Sequence, residues 1–142
     1  MADDMSMLRS ALQKVDFFYS FNFSELDMLI KALKKRKVKK GETVINQGEI
    51  GDKFYLIGRG QFSVYVKKGM GNQQKVADLS DGDFFGEMAL VTDLPRTATV
   101  KADDEGELFV LYKKDFKKIL LSNPKISAII NEVLAERRAK NR

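Results

Sequence analysis

Hydrophobic residues recur at helical spacing at both ends of this chain. In the N-terminal part they predict helical structure from Met5 to Lys37, with a break at Asp16 and a second helix capped by Ser24. In the C-terminal part they predict one helix over Lys113 to Leu121 and another over Ile126 to about Lys140. We therefore expect helices to begin and end the fold.

The middle of the chain has a different pattern, in which short apolar runs alternate with glycines. Each run has the length and alternation of a β-strand, and the glycines supply the positive φ that tight turns need. Many short strands joined by such turns predict a sandwich or a barrel. The predicted strands are Thr43 to Ile45, Lys53 to Ile57, Phe62 to Val66, Lys75 to Leu79, Ala98 to Lys101 and Leu108 to Leu111.

No internal repeat, low-complexity linker or shift in composition divides the sequence. Its 142 residues suffice for one domain with a sizeable core. We expect a single α+β domain over residues 1–142. Its predicted parts are N-terminal helices over residues 1–37, strands over residues 38–112 and C-terminal helices over residues 113–142.

Four aromatic residues crowd the short segment between the two N-terminal helices. Aromatic side chains mainly supply buried area, so we expect this cluster to be core that joins the helices rather than a platform for a ligand. The cluster consists of Phe17, Phe18, Tyr19 and Phe21.

Apolar residues make up 44% of the chain and charged residues 32%, which is ordinary for a globular protein. The net charge of +5 is concentrated in two basic runs, Lys31 to Lys40 and Arg137 to Arg142. Neither run contains interleaved aromatic residues, so we expect the first to be a solvated helix face that leads into a strand. Nucleic acid is therefore an unlikely partner.

The chain contains no cysteine and no histidine. It lacks a thiol nucleophile, an imidazole base and the usual ligands of zinc, so we expect no metal site and no enzyme. The first residues, MADDMSMLRS, do not have the pattern of a signal peptide, and no apolar run is long enough for a membrane span. These features predict a cytoplasmic protein.

The stretch FGEMALVTDLPRTAT, from Phe85 to Thr99, carries the clearest candidate chemistry. Gly86 allows a close approach of the backbone to a ligand, and the amides at the start of a short helix favour an anion. The Glu87 carboxylate can accept hydrogen bonds from sugar hydroxyls, and Arg96 can meet a phosphate with two parallel bonds. Together these residues indicate a cradle for a sugar phosphate. The local alternative is that Glu87 and Arg96 pair with each other, or cap nearby backbone groups, and bind nothing.

This stretch resembles the phosphate-binding cassette of cyclic-nucleotide-binding domains, F-G-E-[LM]-A-L, a short loop and R-[TSA]-A-[TS]. Upstream, Lys40 to Ile45, Gln47 to Glu49 and Gly51 to Ile57 are similar to the first strands and turns of that family. The resemblance implies an eight-stranded antiparallel β-roll, jelly-roll-like, interrupted by the cassette. It also implies an N-terminal helical segment, a short cassette helix and two C-terminal helices.

The resemblance further implies individual roles in the cassette. Gly86 and Glu87 would hold the ribose, with Glu87 accepting from the 2′-hydroxyl, and Arg96 would pair with the cyclic phosphate. Further phosphate contacts would come from the amides of Ala89, Leu90 and Thr97 and from the hydroxyls of Thr97 and Thr99.

The base would lie on small and apolar side chains of the roll, and the last helix, Ile126 to Arg142, would fold over it as a lid. Arg137 is equally explained as a solvated cation at the helix end. The residues implied for the base and its surroundings are Val64, Ala77, Leu79, Phe85, Met88, Leu134 and Arg137.

The expected function is therefore a sensor that binds cyclic AMP or cyclic GMP, with cyclic AMP slightly favoured, and rearranges its terminal helices. The expected partner is an effector protein or a covalently linked output domain that this sequence does not contain, and we expect the chain to be either free-standing or an excised sensor. The alternative is a scaffold or protein-interaction domain of the same fold that acts independently of nucleotide.

Overall fold

The computed structural model describes residues 2–140, which form two compact units. One unit combines the segments before Leu33 and after Lys113, and the other is Leu33–Lys113. The first unit is helical. Its elements are α1 (Ala2–Gln13), a 3₁₀ helix (Asp16–Phe18), α2 (Phe23–Ala32), α3 (Lys113–Ser122, with Lys113 itself in the other unit) and α4 (Pro124–Lys140).

The second unit consists of two four-stranded antiparallel sheets. Their strand orders are β1-β8-β3-β6 and β2-β7-β4-β5, which confirms the predicted eight-stranded antiparallel roll. A second 3₁₀ helix, Glu87–Leu90, is the predicted cassette helix. The strands are β1 (Lys34–Val38), β2 (Thr43–Ile45), β3 (Lys53–Arg59), β4 (Phe62–Lys67), β5 (Gln73–Leu79), β6 (Phe84–Phe85), β7 (Thr99–Ala102) and β8 (Gly106–Tyr112).

The core of the strand unit lies between the sheets and follows from the two-residue period of the strands. Alternate residues such as Tyr55 and Ile57 on β3 point inward, and Phe62 on β4 meets Phe85 with ring centroids 6.1 Å apart. The buried members are Val38, Tyr55, Ile57, Phe62, Phe85, Val100, Ala102, Leu108 and Val110.

The prediction of helical structure as far as Lys37 was wrong at its end, because α2 stops at Ala32 and Lys34–Val38 is strand β1. Lysine and arginine favour helix locally, but here the backbone pairs with β8 along its whole length, from Lys34 with Val110 to Val38 with Gly106. Only Val38 of this strand is buried, so apolar periodicity left almost no signal. The basic run is solvated as expected, but as an edge strand.

Two smaller predictions in the helical unit also need correction. The second helix is capped by Asn22 and not by Ser24: Asn22 Oδ1 accepts from the Glu25 amide at 2.8 Å, and the Asn22 amide donates to Glu25 Oε1 at 2.9 Å. Phe17, Phe18 and Phe21 are buried as predicted, but Tyr19 is 76% exposed because its polar hydroxyl tolerates solvent.

We expect Phe62→Ala to lower the free energy of unfolding by about 3–5 kcal/mol, since it leaves a cavity between the sheets. Urea denaturation followed by circular dichroism measures the change. The matched control is Val76→Ala on β5, where the side chain is 58% exposed and the expected change is within about 0.5 kcal/mol. Equal effects of the two substitutions would contradict this assignment of the core.

Candidate functional site

The cassette begins where the core strand β6 ends. Phe85 is buried and stacks on Tyr55 with centroids 4.9 Å apart, and Gly86 then turns the chain with φ +78° into the second 3₁₀ helix. A Cβ at Gly86 would lie 2.5 Å from Arg96 Nη1. Glycine is therefore required here both for the left-handed backbone and for the close approach of the arginine.

Arg96 is the central cation of the site, and two backbone carbonyls hold its guanidinium. Nη2 donates to the Lys53 carbonyl at 2.9 Å and Nη1 donates to the Gly86 carbonyl at 3.3 Å. Within residues 2–140 no carboxylate lies within 4.0 Å of the guanidinium. Burial lowers the pKa of Arg96, and the more distant charges of Asp52, Glu87 and Glu49 oppose this shift. The arginine therefore remains charged, with no counterion in direct contact.

The position of Arg96 is fixed by its own backbone, which pairs with the loop after β2. The Arg96 amide donates to the Glu49 carbonyl and the Gly48 amide donates to the Arg96 carbonyl, both at 2.8 Å. In the same loop Gly51 faces the guanidinium so closely that any Cβ there would overlap it. Gly51 is thus a site residue that sequence reasoning assigned only to a turn, since its role depends on a contact 45 positions away in the chain.

Glu87 opens the 3₁₀ helix and lies partly exposed in the same cavity as Arg96. Among the described residues, no side chain or backbone group makes a hydrogen bond to its carboxylate, and no cation lies within ion-pair distance. The alternative that Glu87 and Arg96 form an ion pair with each other is therefore absent from this structure, whereas its second form, a contact with local backbone, holds for Arg96 through the Lys53 and Gly86 carbonyls. The Glu87 carboxylate is available to a ligand.

A lysine at the end of the strand unit fixes the loop between the 3₁₀ helix and Arg96. Lys113 Nζ donates to the Thr92 carbonyl at 3.0 Å and to Asp93 Oδ1 at 2.5 Å, and the Lys113 amide donates to the Asp52 carbonyl at 2.8 Å. The Lys113 side chain is only 13% exposed. Lys113, the first residue of α3, therefore binds the cassette loop directly through its side chain.

The cassette and the inner face of one sheet enclose a cavity of about 510 Å³. Glu87 and Arg96 supply its charged groups, and small or apolar side chains supply most of the rest. Of the residues predicted to contact a ligand, those that line it are Val64, Leu79, Phe85, Gly86, Glu87, Met88, Ala89, Arg96 and Thr97. Lining residues that the sequence did not single out are Ile45, Phe84, Leu94, Pro95, Ala98 and Val100.

Three predicted contact residues of the strand unit do not line this cavity. Leu90 is 2% exposed and packs in the core, and Ala77 is exposed on β5 opposite Val64. Thr99 is 4% exposed, and its hydroxyl accepts from the Gln47 amide at 3.0 Å. The contact of the Leu90 amide and that of the Thr99 hydroxyl with a ligand remain predictions.

The predicted amide contacts also change. The Ala89 amide donates to the Gly86 carbonyl at 3.2 Å, inside the turn, so it is already occupied in this structure. The exposed backbone of Thr97, next to Arg96 on the cavity wall, remains the better-placed donor.

The predicted lid residues, Leu134 and Arg137, lie on α4 in the helical unit. Arg137 is engaged there by Asp16, with Nε to Oδ2 at 2.8 Å and Nη2 to Oδ1 at 2.5 Å, and its Cζ lies 4.5 Å from the centre of the Phe17 ring. Asn141 and Arg142, the end of the predicted lid, lie outside the described residues. A contact of Leu134 or Arg137 with a base remains a prediction.

Between residues 2 and 140 no group of three or more potential ligands among His, Cys, Asp and Glu is arranged to hold a metal ion. No helix in the same range is long and apolar enough to cross a membrane.

Comparison with known proteins gives a consistent picture. The family model described as the cyclic nucleotide-binding domain matches residues 35–123. The chain is 31% identical to the cAMP-dependent protein kinase type II regulatory subunit of Drosophila melanogaster over 121 residues, which cover 85% of this chain and 31% of that protein. It is 35% identical to a cyclic nucleotide-gated potassium channel of Rhizobium etli over 124 residues, which cover 87% of this chain and 33% of the channel.

Among solved structures, the regulatory domain of Toxoplasma gondii protein kinase A in complex with cAMP superimposes with a TM-score of 0.73 at 27% identity. The match covers 98% of this chain and 51% of that one. The chain spans between 24% and 33% of the length of the curated relatives it matches.

We expect Gly51→Ala to displace the Arg96 guanidinium from the Lys53 and Gly86 carbonyls, because the added methyl group occupies its place. The guanidinium is the far end of a flexible side chain, so the free energy of unfolding should fall by only about 1–2 kcal/mol. The shift of the Arg96 Nε–Hε resonance in nitrogen–proton correlation spectra measures the displacement. The control is Gly71→Ala in the β4–β5 turn, where this resonance should not move. An unmoved resonance in Gly51→Ala would contradict the close approach of Gly51 to the Arg96 guanidinium.

Proposed function

The chain belongs to the cyclic nucleotide-binding domain family, and from this premise we propose that it is a regulatory module that binds a cyclic nucleotide through its cassette. The observation that carries the proposal is the partly buried Arg96 guanidinium without a counterion. A buried cation is stabilised when an anion joins it. The cyclic phosphodiester, with its single negative charge, supplies that anion.

The ribose contact is proposed for Glu87, whose free carboxylate lines the same cavity as Arg96. A carboxylate accepts strongly from hydroxyl groups, so the 2′-hydroxyl is the natural donor. Gly86 lets the backbone turn closely around the sugar, because it has no Cβ and adopts φ +78°. This pair of contacts selects a ribonucleotide with an unsubstituted 2′-hydroxyl.

The base is proposed to lie on the apolar wall of the cavity, formed by Val64, Leu79 and Met88. We propose cyclic AMP as the preferred ligand over cyclic GMP. This choice is supported by relatives named as cAMP-dependent protein kinase regulatory subunits and by the cAMP complex of the Toxoplasma gondii domain. The proposed role is binding and requires neither catalysis nor a metal.

The output of the module is proposed to be an effector protein or a linked domain, as the short span of this chain within its relatives suggests. We place this signalling in the cytoplasm. The coupling element is proposed to be α4, where Arg137 is engaged by Asp16 in the helical unit. If α4 moves when a nucleotide binds, this ion pair must break before Arg137 can reach a base.

In isothermal titration calorimetry, we expect saturable binding of cyclic AMP, weakened about a hundredfold by Arg96→Ala because an ionic hydrogen-bonded contact worth about 3 kcal/mol is lost. Glu87→Gln keeps the shape but loses the charge and should weaken binding about tenfold. The matched control is Arg59→Ala, which removes an exposed arginine paired with Glu107 at 3.6 Å and should leave affinity unchanged. No binding of cyclic AMP or cyclic GMP by the unmodified chain would refute the proposal.

We expect Asp16→Asn to raise the affinity for cyclic AMP by up to about fivefold, since breaking an exposed ion pair releases about 0.2–1 kcal/mol that otherwise opposes the movement of Arg137. Hydrogen exchange of α4 should increase in the free protein at the same time. Asp27→Asn, which breaks the Arg9–Asp27 pair (3.0 Å) in the same helical unit, serves as the control. Unchanged affinity in Asp16→Asn would argue against this ion pair as a restraint on α4.

A further inference from the structure

The strand unit contains a second cavity, of about 520 Å³, that the cassette does not line. It is lined by two tyrosines, two valines and four basic residues, Lys34, Lys35, Arg36 and Lys53. No acidic residue is among its lining residues, all of which belong to the described part of the chain. The side chains used below are Lys34, Arg36, Val44, Lys53, Tyr55 and Val110.

The strand register explains why cations face this cavity. Lys34 is paired with Val110 and Arg36 with Leu108, and directly paired residues lie on the same face of a sheet. Both partners are buried core residues, so the two cations share the inner face of β1 with the core. Lys53 extends the same face on β3, where it is paired with Tyr112.

The neighbouring carboxylates only partly neutralise these cations. Arg36 forms an ion pair with Glu42, and Lys53 Nζ lies 3.0 Å from Asp52 Oδ1. Lys34 has no ion-pair partner among residues 2–140. The cavity therefore keeps a positive charge, while both carboxylates lie outside its wall.

The hydroxyl of Tyr55 supplies a neutral donor in the same cavity. Tyr55 is only 5% exposed, and no hydrogen bond from its hydroxyl to another described residue is present. The hydroxyl is not among the fully enclosed side-chain atoms that lack a hydrogen bond, and Tyr55 is one of the residues that line the cavity. Burial raises the pKa of Tyr55, which keeps the O–H available at neutral pH.

We propose that this cavity is a second anion site, which binds an acyclic phosphate monoester with an apolar or aromatic group. The phosphate lies among Lys34, Arg36 and Lys53 and accepts from the Tyr55 hydroxyl, and the apolar group lies on Val44 and Val110. A monoester carries up to two negative charges at neutral pH, which suits three cations. A cyclic phosphodiester carries one, which suits the single cation of the cassette.

The two cavities have no lining residue in common. The Arg96 guanidinium has its Cζ 6.0 Å from the centre of the Tyr55 ring and donates to the Lys53 carbonyl, which is a backbone group. Arg96 does not line the second cavity. The two sites therefore use different charged side chains.

The test is a titration with phenyl phosphate, a dianionic monoester, followed by nitrogen–proton correlation spectra. We expect saturable shifts of amides in β1, β3 and β8, and an affinity about tenfold weaker in Lys34→Gln and in Arg36→Gln. Methyl phenyl phosphate, a diester with one charge, should bind at least about tenfold more weakly than phenyl phosphate. Absence of saturable shifts with phenyl phosphate would overturn the proposal.

Two controls locate the site. Lys37→Gln makes the same charge change on the opposite face of β1, where Lys37 is paired with Glu107, and should leave the affinity unchanged. Phenyl phosphate should not shift the amides of Glu87–Leu90 in the cassette helix. An equal loss of affinity in Lys37→Gln would show diffuse attraction by the basic strand, and saturable shifts confined to the cassette amides would place the probe in the cassette. Either result would overturn the proposal of a separate site. Because this test needs no cyclic nucleotide, its outcome is separate from that of the cyclic AMP titration.

Discussion

The site depends on holding one partly buried guanidinium without a carboxylate to neutralise it. Desolvation opposes the charge of Arg96, and two backbone carbonyls, from Lys53 and Gly86, supply only partial compensation. This arrangement needs β3, the end of β6 and the loop after β2 to meet at one point. The roll supplies that meeting point, because β3 and β6 are neighbours in one sheet. In the proposed complex, the cyclic phosphate supplies the negative charge that the protein does not place in contact with Arg96.

The inner face of the sheet that contains β1, β3 and β8 changes from apolar to basic along its length. Its centre is apolar, with Ile57 and Leu108 in the core, and its end carries Lys34, Arg36 and Lys53. Tyr55 lies between these regions. Its ring stacks on Phe85, and the ring centre lies 6.0 Å from Arg96 Cζ. A single β-strand face can thus continue from core to binding surface, since alternation fixes the side on which a residue lies but not its polarity.

Local patterns predicted most of the fold, and they failed where pairing with a distant strand decided the structure. The strand predictions at Thr43 to Ile45 and Phe62 to Val66 agree closely with β2 and β4, since glycines bound them and apolar residues alternate within them. Strand β1 was missed because one buried valine among four basic residues gives no apolar period. In the cassette, the structure brings the predicted Glu87 and Arg96 to one cavity, whereas Leu90 and Thr99 are buried and do not line it.

The sequence by itself determined the family, the antiparallel roll and the two charged side chains of the cassette, since these follow from residue types at short spacings. Only the tertiary structure decided which of those side chains face a cavity and which charges remain without partners. Gly51 against Arg96 and Lys34 opposite Val110 are contacts between residues far apart in the chain. Such contacts arise from sheet pairing and burial, and no spacing in the sequence encodes them directly.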